Sequence, residues 1–594
     1  MKAYLSIIVI SLLLISCKAE PLEKSVTYSL NLNDRSDDTF KVTLLVNGLT
    51  EQNNLFQFAA TAPGTYQTMD MGRYVTTFKA YDTHGNSVQT TQQSINQYTF
   101  SEPEKVAKVE YTILETWDTP VDSNSIYKMC GTSIEDDHVM INGQGVFGYF
   151  KGMQSHPIRV KLNYPKGWLV GSALPLVDGY YEAKTYDHIV DSPILLGRLT
   201  KATTHVEGVP VDIYTYSATD KIKSAQILSS MEEMLKSASK FVYGLPVDRY
   251  TFLFHFEGDR SSGAWEHSYS SSYAYKEAEW ETLAEDLTAT AAHEFFHVVT
   301  PLNIHSEIIQ SFNFTKPVPS QHLWLYEGTT EWASHMMLFR GGIITLDDYL
   351  EMLSDKIRID GFFNPEYSIK DLALKSYSKE GQKQYGNIYY RGALVAGLLD
   401  IRLLELSEGK RGLREVVREL AQEYGANKPF NEATFIDEFA TRTYPEIRTF
   451  FKEYIENANP LPYKLYYEKI GITFSEKKES PSEASFGLGI QGTSEGKLVI
   501  YQVEENANSF GFKPGDLIKT WNGTELTFAN VRSVFDEIRS KPVGTAYTAV
   551  VVRYGKEVEI QANTVVKTLK NVFELSESVT EKQRALRNAW MKRL

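Results

Sequence analysis

Two histidines and a glutamate stand together at His293-Glu294-Phe295-Phe296-His297. The i, i+4 spacing puts both imidazoles on one helical face, about one turn apart. Two neutral imidazoles so placed can grip one Zn²⁺ at ~2.0–2.1 Å, with Glu294 able to reach a water on the metal. That is equipment for hydrolysis by activated water. The plainer alternative is a helix with two core or surface histidines. A catalytic zinc takes three protein ligands and keeps a fourth position open. Thirty residues after His297 stands Glu327, in Leu323-Trp324-Leu325-Tyr326-Glu327-Gly328-Thr329-Thr330-Glu331-Trp332. It is the natural third ligand if this segment is a helix packed against the first. Glu331, one turn on, can accept a hydrogen bond from the outer nitrogen of a ligand histidine and fix its tautomer. Seven of the 12 histidines fall between residues 255 and 335, but His255, His305, His322 and His335 have no partner spacing that singles them out.

These groups need a scaffold. Residues 281–299, ETLAEDLTATAAHEFFHVV, read as a helix closed by Thr300-Pro301. A strand-like TFLFHFEGD precedes it at 251–259, and a helical pattern fills 222–240. Residues 322–456 are mostly helical, with GALVAGLLDIRLLELSEG and LREVVRELAQEYG the clearest stretches. Upstream, from about 24 to 110, alternating runs such as VTYSLNLND, FKVTLLVNG and YVTTFKAYD predict a β-sandwich, and β-like patterns continue to 245. The chain turns Pro-rich near 460 (NANPLPY), and 475–485 is charged and Ser-rich, like a linker. A small β-rich module follows at about 485–567, then a charged, helix-prone tail.

Composition agrees with several globular domains. At ~100–200 residues each, 594 residues make three to five. Hydrophobic residues at 42% and charged residues at 23% exclude disordered, collagenous and coiled-coil classes. Net charge is 61 − 75 = −14, a poor basis for holding nucleic acid. The two cysteines, Cys17 and Cys130, offer no disulfide framework. Cys130 has no activating base beside it and reads as a small buried residue. At the N-terminus a basic start precedes LSIIVISLLLIS, too short for a stable anchor. Its end, Leu14-Ile15-Ser16-Cys17, resembles a bacterial lipoprotein box, with Cys17 as the lipidated residue. A plain secretory signal is the alternative, and both imply export. Lys18 after the Cys favours the outer membrane of the cell envelope, with the lipid as the sole membrane attachment.

HEFFH, then WLYEGTTEW, then Tyr389-Tyr390-Arg391-Gly392-Ala393-Leu394-Val395 resemble the glycyl aminopeptidase family of bacterial zinc metallopeptidases, which are gluzincins. Gly263-Ala264-Trp265-Glu266-His267-Ser268 is similar to that family's Gly-Gly-Leu-Glu-His stretch, where related aminopeptidases place an edge strand that reads the substrate amine. The resemblance covers roughly residues 25–565, with four motifs in family order. It implies that His293, His297 and Glu327 hold Zn²⁺ and that Glu294 is the general base. It further implies that Tyr389, or Tyr390 in the other register, steadies the oxyanion, and that Glu266, with Gly263 and Ala264 beside it, grips a free α-ammonium. His267 reads instead as a local hydrogen-bonding residue. Arg391 stands where a Lys is more usual, Val299-Thr300-Pro301-Leu302-Asn303 replaces a Trp-Asn and basic run, and Ala264-Trp265 replaces Gly-Leu. The residue preferred at the cleaved end is therefore left open.

Phe486-Gly487-Leu488-Gly489-Ile490, the later Lys513-Pro514-Gly515-Asp516 and Trp521-Asn522-Gly523 look like a PDZ domain. Gly487, Leu488 and Gly489 would form its carboxylate-binding loop, residues 526–539 would form the groove helix, and a C-terminal peptide would bind by strand addition. The expected class is multidomain α+β: signal peptide 1–17; N-terminal β-sandwich-like domain 24–185; thermolysin-like gluzincin catalytic domain 186–460, its later part helical; linker 461–484; PDZ-like domain 485–567; helical tail 568–594. The expected activity is zinc-dependent removal of N-terminal residues from peptides. The alternatives are a zinc endopeptidase whose PDZ recruits proteins, and a non-catalytic peptide-binding lipoprotein.

Overall fold

The computed structural model describes residues 25–258, 262–493 and 495–594. The signal segment and Cys17 lie outside them. Two compact units emerge, one from residues up to Leu235 plus Gly244–Val318, the other from Lys236–Tyr243 plus Pro319–Leu594. No described helix is long and apolar enough to cross a membrane.

The first unit opens with an eight-stranded sheet. Strand Ser25–Asn31 pairs antiparallel with Thr39–Asn47 and parallel with Ile158–Asn163. Period-2 alternation buries Val26, Tyr28 and Leu30 from one strand and Val42, Leu44 and Val46 from the next. Those side chains share one core with Phe56, Tyr98 and Phe150 of a four-stranded sheet and with Phe58 just beyond it, the rings meeting edge-on and tilted. The N-terminal region is thus β-rich and sandwich-like. A five-stranded sheet follows. Its central strand, Tyr250–Phe256, is buried along its whole length and runs parallel to both Val209–Ser217 and Ser270–Tyr275. A parallel strand covered on both faces should read as the continuous apolar run that TFLFHF is. Strand Gly263–His267 forms that sheet's edge.

The second unit is helical, then β-rich. Helix Asn387–Leu406 is buried nearly throughout and packs on Leu346–Asp360, Thr330–Gly341 and the π-helical turn Trp324–Thr329. The six paired strands of the later module close around Trp521, which stacks on Tyr547 at 4.8 Å, with Phe486 and Phe535 edge-on or tilted to the pair. Its helix is Val531–Arg539, shorter than the expected 526–539.

Two expectations need correction. Residues 461–484 are not an unstructured linker: helix Tyr463–Tyr467 leads into strand Ile472–Ser485, which pairs with Val565–Leu575 as a two-stranded stem. The tail from 568 is therefore strand first, with helix Glu581–Trp590 after it. The charges that mimic a linker are cross-strand pairs, Lys478 with Glu574 and Lys567 with Glu483.

One core acid makes stability depend on pH. Asp400 is fully buried, accepts the Leu413 N–H at 2.7 Å, and has no described partner at Oδ2. Burial pushes its carboxyl up to about 7. The folded state then binds a proton that the unfolded chain releases near ~3.9, so stability falls as pH rises from about 4 to about 7. Asp400→Asn keeps the accepting oxygen and removes the charge. Its urea midpoint should gain on the wild type steadily across that window and level off above it; a constant difference would refute the assignment.

Candidate functional site

In the first unit, helix Trp280–Phe296 carries the histidine motif, with His297 at its C-cap. Ala291 and Ala292 are fully buried, small enough to let the backbone approach its neighbours. Phe295 docks edge-on against Tyr250 at 4.8 Å and stacks near Phe252 at 6.0 Å, while Tyr275 donates to Thr290 at 3.1 Å. These contacts fix the helix's rotation on the five-stranded sheet and thereby the direction of the motif.

His293 and His297 sit with ring centroids 4.9 Å apart, both buried, as is Glu294. His297 Nδ1 lies 2.9 Å from the Thr300 carbonyl oxygen. An oxygen there accepts Nδ1–H, so the neutral ring presents Nε2 as its ligand atom. Sequence reasoning missed this partner; the helix-ending turn at Thr300 was the signal that the chain folds back there.

Strand Gly263–His267 brings Glu266 to the same place. One ligand atom each from Glu266, Glu294 and His297 lie within 4.8 Å of one another. The loop before residue 66 closes over Glu266: a Cβ on Gly64, whose φ is +73°, would stand 2.5 Å from Glu266 Oε1. The Trp265 indole donates to Pro63 O at 3.1 Å and holds that loop. Gly64 went unnoticed in the sequence because a lone Gly-Thr turn carries no chemical signal. Cys130 is fully buried, and its thiol is raised well above its usual range by burial first and then by the Glu266 and Glu294 charges, which makes it inert. His267 faces Asp191 at 3.5 Å, a local polar pairing.

In the second unit, Glu327 is buried in the π-helical turn Trp324–Thr329. The segment is helical as expected, but its i→i+5 geometry was not foreseen; such turns gather at functional sites. Glycine is required at 328, where a Cβ would meet the Gly392 Cα at 2.7 Å. That backbone contact joins the Glu327 segment to helix Asn387–Leu406, which carries Tyr389 and Tyr390 in its first turn. Tyr390 packs near Phe363, with the Lys356 ammonium 5.4 Å from its ring centroid. Arg391 pairs with Asp360 at 3.1 Å. Glu331 accepts from Lys356 Nζ at 2.6 Å and lies 3.6 Å from His335 Nε2. His322 meets Glu432 O at 2.8 Å. In the terminal module, Gly487 adopts φ +64° and its carbonyl accepts the Glu504 N–H at 2.7 Å, so Gly487-Leu488-Gly489 leads into the outer strand Leu488–Gly492.

Residues 27–198 match the family model of the Peptidase M61 N-terminal domain, and residues 286–395 that of M61 glycyl aminopeptidase. The second stretch contains His293, Glu294, His297, Glu327, Tyr389 and Tyr390. No curated protein matches the chain. Among solved structures, the aminopeptidase N family protein from Idiomarina loihiensis shares the fold, with a TM-score of 0.74 at 20% identity over 95% of this chain and 100% of that one. Over its N-terminal β-rich region and across the histidine motif the chain is similar to M61 peptidases, and this likeness supports a peptidase function.

Proposed function

We propose that the protein is a zinc-dependent aminopeptidase. His293, His297 and Glu327 are the proposed ligands, each of them buried. Two imidazoles and one carboxylate suit zinc, and the carbonyl at His297 Nδ1 supplies the outer bond that such ligands need. When bound, zinc makes water acidic enough to attack near neutral pH and polarises the scissile carbonyl. Glu294 takes the water's proton and passes it to the leaving amine. Tyr389, with Tyr390 the other register, donates its hydroxyl hydrogen to the tetrahedral oxygen.

The observation that carries the exopeptidase reading is Glu266 beside Glu294 and His297. Two carboxylates facing one small space favour a cation between them, and a peptide's free α-ammonium is that cation. Gly263 and Ala264 give its strand a slim edge along which substrate can lie. A peptide without the charge forfeits its ion pair with Glu266 and is discriminated against. Glu266→Gln should therefore raise KM for free-amine peptides by ~10-fold or more, and N-acetylation of the substrate should abolish turnover by the wild type. Cleavage undiminished by acetylation would sink this reading in favour of an endopeptidase.

That second reading has its own support. Strand Leu488–Gly492 ends its sheet, pairing only with Leu498–Val503 among the described residues. An open edge beside Gly487-Leu488-Gly489 suits a PDZ that captures a C-terminal peptide by strand addition and could bring protein substrates to the enzyme. We also propose export and lipid anchoring at Cys17 to the cell envelope, as the N-terminal sequence suggests, with no nucleic-acid partner.

A further inference from the structure

We propose that His138, His255 and Glu257 form a second site for a divalent transition-metal ion, built from none of the residues assigned to the catalytic zinc. His138 begins strand His138–Ile141 and His255 lies on strand Tyr250–Phe256, which belong to different sheets of the first unit. Their Nε2 atoms face each other at 2.9 Å, and Glu257 Oε2 lies 3.8 Å from His255 Nε2. One ligand atom from each of the three falls within 4.8 Å of the others.

The surroundings are those of a held ligand set. His138 Nδ1 meets Asp137 Oδ1 at 3.0 Å, so the carboxylate takes the outer N–H and leaves the Nε2 lone pair aimed at the cluster. Asp137 is itself fixed, by the Tyr216 hydroxyl at 3.1 Å and by Arg198 Nε at 2.9 Å on its other oxygen. The Tyr216 ring stacks 3.8 Å from His138 and 4.9 Å from His255, and Trp117 meets His255 edge-on at 4.6 Å. Both imidazoles are 1–2% exposed, whereas Glu257 reaches solvent at 26% and gives an ion its way in.

A bare N–H···N bond between the rings accounts for two of the three groups. The Glu257 carboxylate adds an oxygen donor beside the two nitrogens, completing a set of three that a divalent cation can bridge. Two nitrogens and one oxygen leave a position for water, a set that suits zinc and its borderline neighbours. Tetrahedral ligation sets the nitrogens about 3.3 Å apart, so loading asks the rings to part by only a few tenths of an ångström. The bound ion would staple two sheets of the first unit, and its binding energy would add to folding stability.

The test uses the full chain carrying H293A/H297A, so that the catalytic ion is not counted. After equilibration with Zn²⁺ and removal of excess, elemental analysis should find one equivalent per chain, and zinc should raise the Tm. Adding His138→Gln, or the milder Glu257→Gln, should abolish both effects, and Asp137→Asn should weaken binding by ~10–100-fold. An H293A/H297A chain that holds no zinc overturns the proposal. So does retained zinc that survives both His138→Gln and Glu257→Gln. A wild-type chain that loses zinc on His138→Gln but none on H293A/H297A would uphold this site while sinking the catalytic assignment.

Discussion

Glu294→Gln is expected to lower kcat by ~10²–10⁴-fold while zinc content stays at the wild-type level. The amide is isosteric, so the buried packing around residue 294 is kept. What disappears is the ability to take a proton from water and return it to the leaving amine. KM should change little, because substrate binding is assigned to Glu266 and the strand Gly263–His267 rather than to the base. A fall in kcat/KM carried by kcat is the signature of an interaction made in the transition state. Elemental zinc analysis beside steady-state kinetics separates this from metal loss. Activity within tenfold of wild type at full zinc occupancy would remove Glu294 from the chemistry.

The parts of the site that the sequence reveals are those where chemistry and periodicity coincide. His293-Glu294-Phe295-Phe296-His297 declares itself because i, i+4 spacing survives any packing, and the need for a third donor is what makes Glu327 the proposed ligand. Tyr250–Phe256 is legible because a strand buried on both faces has no polar alternation. Other features depend on contacts that no local pattern encodes. His138 and His255 are 117 residues apart, and only the arrangement of two sheets brings them to 2.9 Å. The carbonyl that orients His297 is main chain and has no residue type to betray it. Gly64 matters because Glu266 from a distant strand arrives beneath it. The stem Ile472–Ser485 was concealed by composition: Lys and Glu suit a solvated linker and an exposed two-stranded ribbon equally well, and only the partner strand decides.

Removing the metal should remove the activity entirely, and either of two substitutions should make the loss irreversible. Wild-type protein stripped by a chelator should fall to background hydrolysis and recover on addition of Zn²⁺. His297→Ala should stay at background even with zinc in excess, as should Glu327→Ala. Ligand count is the reason: two donors hold a catalytic ion too weakly, and neither Ala offers a replacement. His297 is the sharper case, because its Nδ1 is committed to the Thr300 carbonyl and its Nε2 is the donor that remains. Ligand imidazoles must be neutral to bind, so bound zinc and activity should be lost together as acid protonates them. Measured in parallel, zinc content and kcat/KM should follow one curve on the acidic side. Hydrolysis that persists in His297→Ala without zinc, or chelator-treated protein that keeps its full rate, would leave the proposed ligands with no catalytic part to play.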